Sequence, residues 1–112
     1  MDMAFILTQA EWEFAQHQQG EAPLSLVAKG LLHFDGDAFL LSRTLQVVVE
    51  EAALAQREDL TPEAHILLGP RFCILVEPYP HQRESLRISP FQNEAALRAE
   101  LRERLSVNND AN

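Results

Sequence analysis

Four histidines, one cysteine and three close pairs of carboxylates are the side chains of this 112-residue chain that could do chemistry. His17, His33, His65 and His81 each stand alone, with no second His or Cys within four residues of any of them. A metal site built on a short-range ligand pair is therefore not written in the chain, and one could arise only from residues that the fold brings together. Asp35-Gly36-Asp37 has the opening of a calcium loop but lacks the further ligands and the closing Glu at the required spacings, so it reads as a turn. Gly20, Gly30, Gly36 and Gly69 are scattered, which leaves neither a phosphate cradle nor a dinucleotide fingerprint. No G-x-S-x-G elbow is present to expose a serine.

Glu11/Glu13, Glu50/Glu51 and Glu58/Asp59 are the paired carboxylates. Acid and base work would require one member of a pair to be buried with a shifted pKa; adjacent acids on helices are ordinarily solvated faces, and that is the expectation here. Cys73 lies in the apolar run Phe72-Cys73-Ile74-Leu75-Val76 and is expected to be an inert core thiol, with no internal disulfide open to a lone cysteine. No catalytic residue, cofactor or metal ligand is expected. The candidates for contact with a partner are Tyr79 and His81, on the proline-stiffened loop Pro78-Tyr79-Pro80-His81, together with Glu50 and Glu51. For Tyr79 the plainer role is to cover the edge of the core.

The elements that must position these residues can be read from caps and periodicity. Thr8-Gln9-Ala10-Glu11 is a capping box, Leu7 and Trp12 form a hydrophobic staple across it, and Gly20 supplies a stop, giving a helix over 9–19. Pro23 then opens a second helix, whose face Leu24, Val27, Ala28, Leu31 and Leu32 ends at the Asp35-Gly36 turn. Ala38 to Leu41 is a brief extended segment. Ser42 caps a third helix with Leu45, Val48, Val49, Ala52 and Ala55 inward, fading near Glu58.

Beyond Pro62 the period shortens. Residues 65–68 and 72–77 form a hairpin about Gly69-Pro70, and Leu86 to Ile88 adds a third strand. A last helix opens at Asn93 or Ser89 and runs to about Leu105 on a stripe of Leu97, Leu101 and Leu105, with Glu94/Arg98 and Glu100/Arg104 as i,i+4 pairs. The expected fold is α+β: N-terminal helices packed with a three-stranded antiparallel β-meander and a C-terminal helix. One domain spans 1–106, and 107–112 is a flexible tail.

Composition narrows the function classes. A formal charge of -8 disfavours nucleic acid and anionic membrane surfaces as partners. Residues 1–37 contribute -5 and residues 38–70 another -3, whereas residues 71–112 balance six Arg against six acids. A basic partner would therefore meet the N-terminal part. Ala4 to Leu7 is the only apolar stretch near the start and has no basic residue before it, so neither a signal peptide nor a membrane span is expected and the location reads as cytoplasmic.

Leu7-Thr8 with Trp12, then Leu24-Ser25-Leu26-Val27-Ala28-Lys29-Gly30-Leu31-Leu32, the turn at Asp35-Gly36, and Leu41-Ser42 opening a long helix make the chain resemble the EspG-type proteins. These are cytosolic chaperones of the ESX, or type VII, secretion systems. The resemblance covers about residues 7–57, and its core is Lys29-Gly30-Leu31. Family members are usually more than twice this length and carry two similar halves, so this chain matches one half. The resemblance implies a chaperone-like protein that binds secretion substrates, and a homodimer that restores the missing symmetry through the sheet or the Leu24 to Leu32 helix face. It implies no site residue.

Three functions stand open at this point. The first is a non-enzymatic protein-interaction module, chaperone-like, with a protein partner. The second is a winged-helix-like transcriptional regulator reading DNA with the Leu45 to Ala55 helix, whose exposed acids have the wrong sign for phosphates. The third is a small ligand-binding domain or enzyme with a site assembled from distant residues.

Overall fold

The computed structural model describes residues 4–36 and 38–110, without the side chains of 105–110. Its elements in chain order are β1 (Phe5–Thr8), α1 (Gln9–His17), α2 (Leu24–Ala28), β2 (Leu32–Asp35), β3 (Ala38–Leu41), α3 (Arg43–Leu54), β4 (Gln56–Asp59), β5 (His65–Leu68), β6 (Cys73–Pro78), β7 (Ser85–Phe91) and α4 (Glu94–Asp110). The fold is α+β with antiparallel sheets. The expected meander β5-β6-β7 is the centre of a larger, five-stranded sheet of order β1-β7-β6-β5-β4.

Strand register divides the sheet's side chains between two faces, because successive residues alternate. Leu67 opposes Ile74, Val76 opposes Ile88, and Ile88 opposes Phe5, which places all five on a first face. Ile66 opposes Leu75, and Cys73 opposes both Leu68 and Phe91, on the second face. The core follows this parity. On the first face the strand residues pack with Trp12 and Phe14 of α1, Leu26 of α2, Leu32 of β2 and Leu45, Val48 and Val49 of α3. On the second face Ile66, Cys73 and Leu75 pack with Leu97 of α4, and Leu101 is partly buried against them. Two layers therefore cover one sheet, each burying its own apolar stripe.

Several local expectations hold. The Thr8 hydroxyl accepts from the Glu11 amide at 3.1 Å while the Glu11 carboxylate accepts from the Thr8 amide at 2.7 Å, so the capping box closes. Ser42 caps α3 by accepting from the Leu45 amide, and Asn93 caps α4 by accepting from the Ala96 amide at 2.8 Å. Cys73 is buried. Burial pushes its thiol pKa up, and nearby Glu94 adds to the rise.

Other expectations are corrected. The second helix is a single short turn, α2, because Gly30 takes a left-handed backbone (φ +74°) at its end, a conformation that costs glycine little. Leu31 and Leu32 then belong to the start of a hairpin in which Leu32 opposes Leu41 and Phe34 opposes Phe39. A Leu24 to Leu32 helix face does not exist. Helix α1 stops at His17 rather than at Gly20, because Gln18 itself adopts the left-handed cap and its amide donates to the Phe14 carbonyl. Helix α3 ends at Leu54, and Gln56–Asp59 is a strand where the helix was expected to fade. Three strands, β1, β2 and β4, were not expected: β1 is only four residues and runs straight into a helix cap, β2 continues a helical period, and β4 is wholly polar.

Pro90 sits in β7 opposite Ile74, yet β1 reaches only to Ile88, so the missing proline N–H faces no strand on that side. Helix α4 continues past the end expected near Leu105. The tail expected at 107–112 thus falls partly within this helix and, at 111–112, outside the described residues, as does the Leu105 side chain.

Candidate functional site

Two of the neighbouring-acid pairs split in the same way: one carboxylate is buried and the other exposed. Glu11 is 1% exposed and Glu51 0%, while Glu13 and Glu50 face solvent. The expectation that Glu51 lies on a solvated, partner-facing surface is therefore wrong. Its position on α3 shares the inward side with Val48, and the side chain reaches the β5-β6 turn. There its carboxylate accepts from the backbone amides of Arg71 and Phe72 and from Arg71 Nε at 2.8 Å. Gly69 makes room for it: a Cβ built there would lie 2.5 Å from Glu51 Cγ. Burial alone would raise the Glu51 pKa, but the Arg71 and Phe72 hydrogen bonds favour the carboxylate and hold it below the ordinary 4.5.

Glu11 plays the same part for α1. Besides its cap bond it accepts from Lys29 Nζ at 2.6 Å and from the Ser25 hydroxyl, which ties α2 to α1. Lys29 also donates to the Ile6 carbonyl at 3.1 Å, so the pair occupies two backbone groups along edge strand β1, Ile6 C=O and Thr8 N–H. Here too burial raises the pKa, and the bonds from Lys29, Ser25 and Thr8 outweigh it and lower the value. Both carboxylates are held in the ionised form at neutral pH by donors of this chain.

The loop candidates are placed differently. Tyr79 is half-buried, its amide donates to the Ser85 carbonyl at 2.9 Å, and its ring meets His81 edge-on with centroids 5.3 Å apart. His81 is exposed. Glu50 lies on another element, where its carboxylate accepts from Gln46 one turn earlier in α3. The structure thus brings Tyr79 and His81 together and leaves Glu50 to the outer face of α3.

Tyr79 lines an open groove of about 1390 Å³ on the first face, between α1 and the β6-β7 connection. Leu67, Val76 and Leu86 contribute its apolar lining, Trp12 and Gln16 come from α1, and His65 and Arg57 from β5 and β4. His65 opposes Asp59 across the β4-β5 pair. Its pKa is lowered, first by burial and then by the Arg57 charge, with Asp59 opposing, so the imidazole is neutral at pH 7. The lone histidine gave no sign of this setting, because Arg57 and Asp59 become its neighbours only through a strand that was not anticipated. Among the described residues no group of three His, Cys, Asp or Glu side chains could hold a metal ion. No helix among them is long and apolar enough to cross a membrane.

A third feature is apolar. Leu24 (77% exposed), Val27, Phe34, Leu40, Val47 and Leu54 are large hydrophobic side chains left in solvent, all on α2, the β2-β3 hairpin and α3. On the other side, α4 carries ion pairs: Arg98 with Glu58 and Glu94, Arg104 with Glu77 and Glu100. No known protein family matches the chain, and no curated protein or solved structure is similar to it.

Proposed function

We propose that the protein is a non-enzymatic protein-interaction module of the cytoplasm, and that it meets its partner through exposed apolar side chains of α2, the β2-β3 hairpin and α3. The observation that carries this reading is the segregation of exposed apolar side chains. Six large ones lie on α2, the β2-β3 hairpin and α3, whereas Leu60 is the only other among the described residues. Scattered single hydrophobics are normal on a surface; their concentration in one layer marks a place where another molecule is covered. The buried carboxylates act against an enzymatic reading, because their lone pairs are taken up in holding helices to loops.

The partner class suggested by the resemblance of residues 7–57 to EspG-type chaperones is a secretion substrate. The identity of the neighbouring genes tests that part: a secretion locus supports it, and an unrelated operon removes it. The interaction reading itself is tested with Leu24→Ser/Leu40→Ser, two substitutions at exposed positions that leave the core intact. Affinity capture from the native host is expected to retain a reproducible partner on the wild-type protein and to lose it on the double variant. Retention by both would place the contact elsewhere.

A further inference from the structure

The five-stranded sheet has two edges, β1 and β4, and they end in different ways. An edge strand offers another chain the backbone groups that point away from its neighbour. On β1 two of these are spent, since Lys29 donates to the Ile6 carbonyl and the Glu11 carboxylate accepts from the Thr8 amide. No strand lies beyond β4, and among the described residues no side chain bonds to its backbone. Which of its groups are open follows from the ladder. The Leu60 amide donates to the Ala64 carbonyl at 2.9 Å, and hydrogen-bonded pairs recur at every second residue of an antiparallel ladder. Glu58 and Gln56 therefore bond to β5, and the N–H and C=O groups of Arg57 and Asp59 point to the open edge.

Independently of the contact proposed above, we infer that β4 pairs antiparallel with β4 of a second copy of this chain, about a two-fold axis at Glu58, so that the two sheets become one. Opposed residues share a face of the sheet, so a two-fold axis normal to it admits only registers centred on a residue. The register centred on Glu58 sets Arg57 opposite Asp59 of the second copy, and these are the residues with outward groups. Both bonds of a hydrogen-bonded pair then form on either side of the axis.

The charges fit the same register. Arg57 and Asp59, 60% and 68% exposed, would each face the opposite charge across the strands, on the first face. Glu58 would meet its own equivalent on the second face, but its carboxylate is already held by Arg98 at 2.9 Å. Centring the pairing on Arg57 or on Asp59 instead would set like charges together with no such partner. Leu54 and Leu60, both exposed, stand just outside the two ends of β4, and antiparallel pairing brings the Leu54 end of one copy to the Leu60 end of the other. The contact is small, so the association is expected to be weak and to depend on concentration.

Sedimentation of the full chain in about 0.15 M salt, which screens charges more than about 8 Å apart, tests this. A dimer is expected as the concentration approaches about 1 mM, and over the same range amide exchange followed by NMR should slow at Arg57 and Asp59. Arg57→Asp and Asp59→Arg, at exposed positions, should each weaken self-association at least about tenfold, because like charges then oppose. Mixed in equal amounts, the two variants should form a heterodimer within about threefold of the wild-type affinity. The double variant Arg57→Asp/Asp59→Arg should again dimerise alone.

A chain that stays monomeric at about 1 mM overturns the inference. So does a dimer that both single variants retain, or one that Leu24→Ser/Leu40→Ser dissolves. Exchange that slows at Arg57 and Asp59 only when a host protein is added would give the edge to a foreign strand and overturn the second copy.

Discussion

The two faces of the central sheet are covered by opposite strategies. The α4 layer follows the usual arrangement, with Leu97 inward and two of its arginines, Arg98 and Arg104, paired with acids at the rim. The first-face layer inverts it: two carboxylates, Glu11 and Glu51, are fully enclosed, and six large hydrophobic side chains face solvent. A buried carboxylate contributes to the fold only when its donors are fixed in place, and both sites meet that condition with backbone amides as well as a cation. The inversion suggests a division of labour. Polar bonds inside the layer tie α1 to α2 and α3 to the β5-β6 turn.

The contrast can be broken most severely at Glu51. Glu51→Ala leaves the Arg71 and Phe72 amides without their acceptor in a closed site, and is expected to cost about 3 kcal/mol, read as a fall in the urea midpoint. Most of that comes from the amides, because Arg71 is 61% exposed and its ion pair is screened. Gly69→Ala should approach the same result from the other side, since the new Cβ would collide with the Glu51 side chain. A variant as stable as the wild type would show that the carboxylate is dispensable and that the layer is held by its apolar contacts alone.

Acid should act on both glutamates together. Their folded pKa values lie below the ordinary 4.5, so the stability they confer is complete above about that pH and is lost as pH falls through the folded values. A urea midpoint measured from about pH 6 to about pH 2 should therefore drop more steeply for the wild type than for Glu11→Gln/Glu51→Gln, where the titrating groups are gone. Parallel curves would assign the acid sensitivity to other carboxylates. On the opposite face the effects are small: Arg104→Ala, at a third-exposed ion pair with Glu77, is expected to cost less than about 1 kcal/mol and to matter less at high salt.

What could be read in the sequence follows the same division. Capping residues and apolar periods located α1, α3, α4 and the β5-β6-β7 meander, because each of those signals is local: Thr8 with Glu11, Ser42, Asn93, and the apolar runs about Gly69-Pro70. The failures came where tertiary partners decide. Leu24 to Leu32 had a helical period, yet Gly30 stops the helix with a turn, and Leu32 pairs with Leu41 as the first residue of a strand. Gln56 to Asp59 carries no apolar residue and becomes a strand only because β5 offers it an edge. Of the candidate site, Tyr79 and His81 were legible from the proline-stiffened loop. The buried Glu51 was not, since nothing near it in sequence announces Arg71, Phe72 or Gly69 twenty residues away.

The smallest predicted effect tests how far the first-face layer extends. His65 lies where the groove replaces helical cover, and its depressed pKa has two causes that a single substitution separates: partial burial, and the charge of Arg57. Arg57→Ala removes the second and leaves burial opposed only by the weaker pull of Asp59, so the His65 midpoint should rise toward the ordinary 6.5 without reaching it. Its imidazole resonances followed by NMR across that range report the change directly. Folded His65 binds fewer protons than the unfolded chain between its depressed value and 6.5, so stability rises with pH across that window, and the window should narrow in the variant. An unmoved midpoint would mean that partial burial sets the value and that the Arg57 charge is screened by solvent.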